Sequence, residues 1–440
     1  MASRILLFMF IFVLAVLNHS FAQIEESDAF DPGNKSPIFY SNYLNITSKT
    51  RFLIYDVNPG EGFNLRRDVY VRVANLIQFM NDRGEDWILV LPPWRHLFHW
   101  KSRYLRQEAT PWRYFFDLSS MNLYVPVMEF EEFISYIGSN GIDHVLYLQR
   151  HPDGFKNGWK EVIETADCIE KATYHRDDSG KFRGYFWSMS HIYSQKFDCV
   201  SAQGHATVLA DFLKKLEARS ILVDRFEQLL HTNYGGVDFY KARRSLVFAQ
   251  HLREEGDRFR EKHLNSKDEK DKTPYTPDWR KQVPGDGDAL GGPYIGVHMR
   301  RGDFAHYAHK ETVPSIEEIG TEVQKLLDKW KIKKVYLSTD GTDEEIKELQ
   351  SYIKGKVYMY PRPKDVVEKF KDGGIAIIDQ WIVAHARYFL GTCESTFSFR
   401  IHEERDILGF SGDSTYNCLC GKQSPPDRCH PPTQWRVKFS

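Results

Sequence analysis

Residues 51–82 read RFLIYDVNPGEGFNLRRDVYVRVANLIQFMND, a segment that predicts a strand, a tight turn and a helix in succession. The first seven residues form a largely apolar run, and residues 58–62 carry the proline and two glycines of a turn. From residue 65 to residue 82, apolar side chains recur at helical spacing, at Val69, Val73, Leu76, Ile77 and Met80. A strand that leads through a turn into a helix is the repeating unit of α/β folds.

The same alternation extends through the first half of the chain. The predicted elements are strands at residues 87–91 and 144–148 and helices at about 208–230 and 237–264. The stretch between Cys168 and Cys199 is interpreted as an insertion. The first half is therefore predicted to be one α/β domain.

The second half repeats the alternation more regularly. Short buried strands are predicted at residues 294–298, 335–338, 357–360 and 388–390, and helices near 315–330, 343–353 and 375–387. Strands that alternate with helices in this way predict a parallel sheet.

A charged segment separates the two halves. Residues 254–292 are dense in charge, glycine and proline, which predicts a solvated loop. At roughly 100 to 200 residues per domain, 440 residues predict two domains. We expect an N-terminal domain over residues 23–250 and a C-terminal domain over residues 251–440 that includes this loop. Both are expected to be doubly wound and to face a cleft, with ligands at the carboxyl ends of the strands.

The composition excludes several classes of protein. The 59 Lys and Arg residues are balanced by 60 Asp and Glu residues, so the formal net charge of −1 argues against binding to nucleic acid. Hydrophobic residues make up 42% of the chain, with 30 Phe, 23 Tyr and 10 Trp. The chain can therefore bury sizeable cores and is not mainly disordered.

The first 22 residues have the pattern of a secretory signal peptide. Arg4 precedes an apolar run of 13 residues at positions 5–17, and Ser20-Phe21-Ala22 offers small residues where a signal peptidase cleaves. We predict cleavage after Ala22. An uncleaved membrane anchor is the alternative, but it needs about 20 apolar residues. After cleavage no membrane insertion is expected, and the mature chain is predicted to reside in the secretory pathway or outside the cell.

The cysteine content agrees with an oxidising compartment. The mature chain has an even number of cysteines, which predicts disulfides whose pairing the residues leave open: Cys168, Cys199, Cys393, Cys418, Cys420 and Cys429. A zinc knuckle of the last three cysteines and His430 is the alternative, although the Cys-x-Cys spacing is poor for it. The sequon Asn45-Ile46-Thr47 predicts N-glycosylation at Asn45.

Four segments at predicted strand ends concentrate polar chemistry. The first is Gly60-Glu61-Gly62-Phe63-Asn64, where a carboxylate lies between two glycines at the start of a helix. Glycines there let backbone amides approach a ligand closely. The alternative is a tight turn in which Glu61 interacts only with the positive end of the helix dipole.

The second segment, residues 297–303, ends a predicted strand with Arg300 and Arg301. Two arginines at this place suit a diphosphate, because each guanidinium matches phosphate oxygens in bidentate fashion and stays charged. The alternative is a surface ion pair between Arg301 and Asp303. A metal cluster is a further alternative, formed by His298, Asp303, His306 and His309.

The third and fourth segments lie nearer the C-terminus. Residues 391–398 join the last predicted strand to a helix that runs to about residue 408, and their hydroxyls and free amides predict a phosphate site. Ordinary capping by Ser395 or Thr396 is the alternative. Asp379 lies within an otherwise apolar helical stretch and needs a partner when buried. That partner is either an internal cation such as Arg387 or the base or ribose of a ligand.

Five segments also carry a family resemblance, which extends from about residue 50 to the C-terminus. They read GEGFNLRRDVY (60–70), LVLPPW (89–94), HMRR (298–301), DGGIAIIDQW (372–381) and STFSFRIHEER (395–405). The chain resembles the GDP-fucose protein O-fucosyltransferases, and among them those that modify thrombospondin type 1 repeats. The fucosyltransferases of EGF-like repeats lack the glutamate between the two glycines, which makes Glu61 informative.

The resemblance implies a GT-B glycosyltransferase fold, in which two Rossmann-like α/β domains face a cleft that binds GDP-β-L-fucose. It implies that Glu61 is the catalytic base for the acceptor hydroxyl and that Arg300 stabilises the departing GDP. The implied donor contacts are Gly60, Glu61, Gly62, Phe63, Asn64, His298, Met299, Arg300, Asp379, Ser395, Thr396 and Phe397.

The resemblance also implies the acceptor and the compartment. Fucose is expected to pass, with inversion, to Ser or Thr hydroxyls of folded thrombospondin type 1 repeats in the lumen of the endoplasmic reticulum. No obligatory metal is expected, and Asp286-Gly287-Asp288, which mimics a metal motif, lies in the predicted loop. The alternatives are EGF-like repeats or another acceptor, and a non-catalytic fucose- or glycan-binding protein. A glycoside hydrolase would need two carboxylates that flank one bond, and these segments offer one.

The family pattern finally suggests a disulfide pairing. Cys393 and Cys418 fall outside that pattern and occur together, so they are expected to pair with each other. The resemblance then implies that Cys168 pairs with Cys199 and that Cys420 pairs with Cys429.

Overall fold

The computed structural model describes residues 44–422, apart from 96, 154, 155, 157, 170–172, 274, 277, 282–286, 306–312, 394, 416 and 417. The predicted signal peptide therefore lies outside the described residues, as do His306, His309, Asp286, Cys429 and His430. Asn45 of the predicted sequon is described and exposed.

The first half of the chain forms a nine-stranded sheet. Its strands are β1 (Arg51–Tyr55), β2 (Trp87–Leu91), β3 (Val127–Glu129), β4 (Gly141–Arg150), β5 (Val162–Ala166), β6 (His175–Arg176), β7 (Phe182–Arg183), β8 (Tyr193–Gln203) and β9 (Ser220–Asp224). The strands in the order β3-β2-β1-β9-β4-β8 are parallel, whereas β5 and β7 pair with β8 in antiparallel fashion. Because β9 lies beside β1, the residues that follow both strands meet at one edge of the sheet.

The second half forms a four-stranded parallel sheet in the order β12-β11-β10-β13. Its strands are β10 (Gly292–Met299), β11 (Lys334–Thr339), β12 (Lys356–Tyr358) and β13 (Ala386–Leu390). The carboxyl ends of β10 and β11 are adjacent, since Met299 pairs with Thr339 in register. The parallel sheet predicted from the alternation is therefore confirmed.

Twelve α-helices connect the strands within the described part of the chain. They are α1 (Phe63–Asp82), α2 (Leu118–Asn122), α3 (Phe130–Ile137), α4 (Leu209–Lys214), α5 (Val237–Ser245), α6 (Gln250–Phe259), α7 (Asp268–Asp271), α8 (Ile316–Trp330), α9 (Asp343–Tyr352), α10 (Lys364–Ala384), α11 (Thr396–Ile407) and α12 (Gly412–Thr415). A π-helical turn, Arg260–Leu264, extends α6. Strands β2 and β9 are buried at every residue, as expected for central strands of a parallel sheet covered on both faces.

Two helix predictions and one loop prediction are wrong in part. The predicted helix at about 208–230 is the short α4 followed by β9, because a strand buried on both faces lacks the alternation that separates strands from helices. The predicted helix at 237–264 is interrupted between α5 and α6. The predicted loop at 254–292 begins as helix, where the buried Arg260 pairs with Asp257 and Asp268 at 2.6 and 2.8 Å.

Buried ion pairs join helices from the two halves of the chain. Arg243 of α5 contacts Glu403 and Glu404 of α11 at 2.6 and 2.9 Å. Arg400 of α11 contacts Asp68 of α1 at 3.3 Å. Removing one partner of a buried pair costs about 3 to 5 kcal/mol, because the other charge is left uncompensated. These contacts fix α1 and α11, which begin at two of the candidate site segments, relative to each other.

Among the described residues two disulfides are present, Cys168–Cys199 and Cys393–Cys418, which confirms these two of the three predicted pairings. The predicted pairing of Cys420 with Cys429 involves a residue outside the described ones. Among the helices of the described chain, none combines the length and the hydropathy needed to cross a bilayer.

Candidate active site

Glu61 lies in a turn between β1 and α1 whose backbone is held from several sides. Its amide donates to the carbonyl of Asn58 at 2.9 Å. The guanidinium of Arg66 donates to the carbonyl oxygens of Glu61 and Asn58, at 3.1 Å each. The amide of Asn58 donates to the carboxylate of Glu227 at 3.1 Å. The main chain of the turn is therefore fixed by side chains from α1 and from the segment after β9.

The Glu61 carboxylate itself is partly exposed, and it makes no hydrogen bond or ion pair with the described residues. The helix behind it begins at Gly62, which gives α1 no side-chain cap. The first amides of α1 thus remain available to a ligand. The site offers a free carboxylate next to free backbone donors.

The other predicted contacts in this turn differ in what they can offer a ligand. A Cβ at Gly62 would lie 3.2 Å from the His99 ring, so a side chain there would require that ring to shift by a few tenths of an ångström. The Phe63 ring is buried among aromatic residues, with Trp94 at 4.8 Å, and only its backbone can face a ligand. Asn64 accepts hydrogen bonds from Gln380 of α10 at 2.9 Å and from Arg67 at 3.3 Å.

Arg300 follows β10 and is braced by two carboxylates. Its guanidinium contacts Asp303 at 2.7 Å and Asp340 at 2.8 Å, and its amide donates to the hydroxyl of Thr392 at 2.8 Å. The alternative of a surface pair between Arg301 and Asp303 is wrong: Asp303 pairs with Arg300, and Arg301 pairs with Glu345 at 2.7 Å. The side chain that carries the candidate charge is thus fixed in direction before any ligand binds.

His99 connects the two segments. Its Nδ1 lies 3.3 Å from the Arg300 guanidinium, and its ring lies against Gly62. Burial and the charge of Arg300 lower the pKa of His99. Its loop is anchored to α10 by Asp372, which accepts hydrogen bonds from the amide of Ser102 at 3.0 Å and from Gln107 at 2.7 Å. Gly62 and Arg300 are therefore separated by one imidazole ring.

His298 is a buried neutral residue beside Arg300. Its Nδ1 lies 2.8 Å from the hydroxyl of Ser398, and its ring stacks on Phe397 at 4.3 Å between centroids. Burial, and next the charge of Arg300, lower the pKa of His298 to about 3. The side chain of the next residue, Met299, belongs to the core of the second sheet, so only its backbone can take part in a site.

The start of α11 forms the wall beside this histidine. Ser395 is the N-terminal capping residue, but its side chain makes no capping hydrogen bond, so ordinary capping does not explain it. Thr396 is exposed and Ser395 is buried. Free amides at the start of a helix of this length bind anions well.

Asp379 is buried in α10, and its cation is not the expected Arg387. It pairs with Arg362 at 2.8 Å, accepts a hydrogen bond from Ser338 at 3.0 Å, and accepts another from Tyr336. Arg387 instead donates to the carbonyl of Gly291. Asp379 itself is buried, but its partner Arg362 is about half exposed, so a ligand can contact the arginine of this ion pair.

The candidate metal sites receive limited support. The three sulfur atoms of Cys393, Cys418 and Cys420 lie within 4.8 Å of one another, but the first two form a disulfide. This is the one grouping of potential metal ligands found among the described residues. His306 and His309 of the other predicted cluster, and Cys429 and His430 of the predicted zinc knuckle, lie outside those residues.

Several residues of the site were not predicted from the sequence. Asp340 follows β11 directly, so the strand-end rule that identified Arg300 also applies to it. Arg66 lies within the GEGFNLRRDVY segment, but the sequence pattern does not show that its side chain turns back to the carbonyls of residues 58 and 61. His99 reaches the site from a loop between β2 and β3, and no local pattern marks it.

Comparisons with known proteins agree on one family. The family model described as GDP-fucose protein O-fucosyltransferase matches residues 52–408. The curated GDP-fucose protein O-fucosyltransferase 2 of Homo sapiens is 46% identical over 394 residues, which cover 89% of this chain and 91% of that protein. The protein of the same name from Caenorhabditis elegans is 44% identical over 404 residues, or 91% of this chain and 93% of that protein.

A solved structure supports the fold independently of close sequence similarity. The crystal structure of POFUT1 in complex with GDP covers 86% of this chain and 100% of its own chain, with a TM-score of 0.53 at 14% identity. At that identity the likeness shows the fold alone. It agrees with the mixed α/β architecture and parallel sheets described above, which confirms the predicted GT-B fold class.

Proposed function

The chain belongs to the GDP-fucose protein O-fucosyltransferase family, and on that premise we propose that it transfers fucose from GDP-β-L-fucose to Ser or Thr hydroxyls of folded thrombospondin type 1 repeats. Glycosyl transfer from GDP-fucose to protein is the activity of the family. The acceptor class, the inversion at the anomeric carbon and the roles of single residues are parts of the proposal.

One observation supports the proposed roles most strongly. The turn that carries Glu61, a carboxylate without a partner among the described residues, lies against the imidazole ring of His99 through Gly62. The braced guanidinium of Arg300 lies 3.3 Å from the same ring. Nucleophilic attack by a hydroxyl needs a base on one side and stabilisation of the leaving group on the other. The two halves of the chain supply one each.

In the proposed reaction, Glu61 accepts the proton of the acceptor hydroxyl as the oxygen attacks the anomeric carbon of fucose. The new bond forms on the face opposite the bond to GDP, which breaks, so the configuration inverts. GDP leaves with the electron pair of that bond and gains negative charge. Arg300 and the first amides of α11 stabilise that charge electrostatically.

The proposed donor contacts divide along the cleft. Glu61 and the amides at the start of α1 contact the fucose. Arg300 and Thr396 bind the diphosphate. Asp379 and Arg362 bind the nucleoside. His298 stays neutral near pH 7 because of its lowered pKa, so it supports this site by stacking and hydrogen bonding rather than by charge.

We further propose that transfer needs no divalent metal and takes place in the endoplasmic reticulum lumen. Arg300 and the α11 amides provide the positive charge that a metal ion supplies in other transferases. The two disulfides and the exposed Asn45 suit an oxidising compartment where glycans are attached.

The test uses the full chain, secreted from cells and purified, with labelled GDP-fucose. Three acceptors are compared: a folded thrombospondin type 1 repeat, the same repeat after reduction, and a folded EGF-like repeat. Each is assayed with and without EDTA. We expect label only in the folded thrombospondin repeat, with EDTA making no difference.

Other results would change specific parts of the proposal. Label in the EGF-like repeat would replace the acceptor class, and equal label in the reduced repeat would remove the requirement for a folded acceptor. Loss of transfer in EDTA, restored by a divalent cation, would contradict metal independence. Binding of GDP-fucose without transfer to any acceptor would favour a non-catalytic binding protein.

A further inference from the structure

We propose that Arg66 is a positioning residue for the catalytic base, which it acts upon through the backbone of residues 58–61. This inference rests on the proposed role of Glu61. Arg66 contacts Glu61 only at its backbone carbonyl, not at the carboxylate, so it has no direct part in the chemistry.

The contacts of Arg66 all serve one turn. Its Nε donates to the carbonyl of Glu61 and its Nη2 to the carbonyl of Asn58, each at 3.1 Å. Its Nη1 pairs with Asp56 at 3.1 Å. All three nitrogen atoms of the guanidinium are thus engaged, and two of them hold the carbonyls at either end of a short turn.

The surroundings keep this guanidinium fixed. The side chains of Arg66 and Asp56 are 8% and 10% exposed, and Asp56 is also paired with Arg95. A buried ion pair with further hydrogen bonds holds its geometry more firmly than an exposed one. Glu227 holds the same turn from its amide side, through Asn58.

Only a guanidinium can make this arrangement. Its planar fork presents donors in fixed directions toward two separate carbonyls and a carboxylate, whereas a lysine ammonium is a single point of charge. The guanidinium bonds to the Glu61 carbonyl, the Asn58 carbonyl and Asp56, and it forms no ion pair with the Glu61 carboxylate. The base is therefore held in position without being neutralised.

The key variant is Arg66→Lys, which keeps the positive charge but removes the planar guanidinium with its several donors. We expect kcat for transfer to fall by about 10- to 100-fold, since misplacement of a reacting group by about 1 Å has a cost of that order. The dissociation constant for GDP should stay within about twofold, because Arg66 contacts Asp56 and the backbone of residues 58–61 and none of the proposed diphosphate contacts.

The matched control is Arg51→Lys. Arg51 lies at the opposite end of β1 and also holds a loop by its carbonyls, those of Leu213, Leu216 and Ala218. This variant measures how much stability and activity are lost when an arginine that donates to backbone carbonyls is replaced by lysine at a place remote from Glu61. We expect the thermal stability of Arg51→Lys to fall as much as that of Arg66→Lys, with kcat unchanged.

A double variant separates positioning from a merely structural role. If Arg66 acts through Glu61, Arg66→Lys should add little to the loss already caused by Glu61→Gln. A structural role would make the two losses multiply. Should Arg66→Lys not fold, Glu227→Ala releases the same turn from its amide side, and we expect a smaller loss of kcat with unchanged affinity for GDP.

The outcomes distinguish this inference from the proposed function. Wild-type transfer is measured first, and its absence would reject the proposed function and the positioning role together. With an active wild type, a kcat of Arg66→Lys equal to that of Arg51→Lys, or losses that multiply in the double variant, would overturn the positioning role alone.

Discussion

The turn that carries Glu61 and the turn that carries Arg300 approach the same histidine ring, yet they are built in opposite ways. In the first, the backbone is held by Arg66 and Glu227, while the Glu61 carboxylate has no partner among the described residues. In the second, the Arg300 guanidinium is itself held, by Asp303 and Asp340.

The difference follows from what each group must do. A base has to accept a proton, and a permanent ion pair would weaken it, so its backbone is fixed and its carboxylate is left free. A cation that stabilises a leaving group works best when its direction is fixed in advance, because no reorganisation is then needed during reaction. The site combines a free base with a fixed cation.

Among changes to the turn that carries Arg300, the largest effect is expected from Arg300→Lys. A lysine cannot contact Asp303 and Asp340 while also facing a diphosphate, so the preorganised charge is lost. We expect kcat to fall by about 10²- to 10³-fold, the range seen when one transition-state donor is removed. Steady-state rates with saturating acceptor measure this.

Arg301→Lys is the control for that variant. Arg301 is the next residue, and its guanidinium pairs with Glu345 rather than with the carboxylates that hold Arg300. An equal loss of kcat in Arg301→Lys would show that the whole segment, rather than the Arg300 guanidinium, matters.

A smaller effect is expected from Asp340→Asn. The amide oxygen of asparagine can still accept the hydrogen bond from the Arg301 amide, while the charge that braces Arg300 is removed. Since Asp303 still holds Arg300, we expect a loss of about tenfold in kcat, comparable to one charge-assisted hydrogen bond. Unchanged kcat would mean that Asp303 alone fixes the guanidinium.

The next prediction concerns stability rather than turnover, through the protonation of His298. Because the pKa of His298 is lowered to about 3 in the folded protein, only the unfolded chain takes up this proton as the pH falls below about 6.5. The contribution of His298 to stability is therefore complete above that pH and decreases between about 6.5 and 3. Between pH 7.5 and pH 5 the loss should be about 2 kcal/mol.

The check compares wild type with His298→Asn by denaturant unfolding at both pH values. The unfolding free energy of the wild type should fall by about 2 kcal/mol more than that of the variant, because all other titrating groups are shared. Equal falls in the two proteins would show that His298 is protonated in the folded state at pH 5.

The sequence predicted the fold where local patterns are strong. The strand, turn and helix of residues 51–82 form nearly as expected, because an apolar run and a helical period of apolar residues both lie within that segment. Strand β9 was missed because its five buried residues have no distinguishing period. The candidate residues Glu61 and Arg300 were found because each ends a predicted strand.

The partners of these residues could not be predicted in the same way. Arg300 is braced by Asp340, forty residues away in sequence, and meets His99, which lies about two hundred residues before it. Asp379 is paired with Arg362, which lies in the connection between β12 and α10, rather than with Arg387. Such contacts depend on how the two sheets and their loops pack, which local sequence does not encode.

The most direct test of the central claim is Glu61→Gln, which keeps the shape of the side chain and removes its ability to accept a proton. Transfer to the folded acceptor and the dissociation constant for GDP-fucose are measured on the same preparation. We expect transfer to fall by about 10²- to 10⁴-fold while donor affinity stays unchanged. Turnover close to that of the wild type, with intact donor binding, would contradict the role of Glu61 as the base.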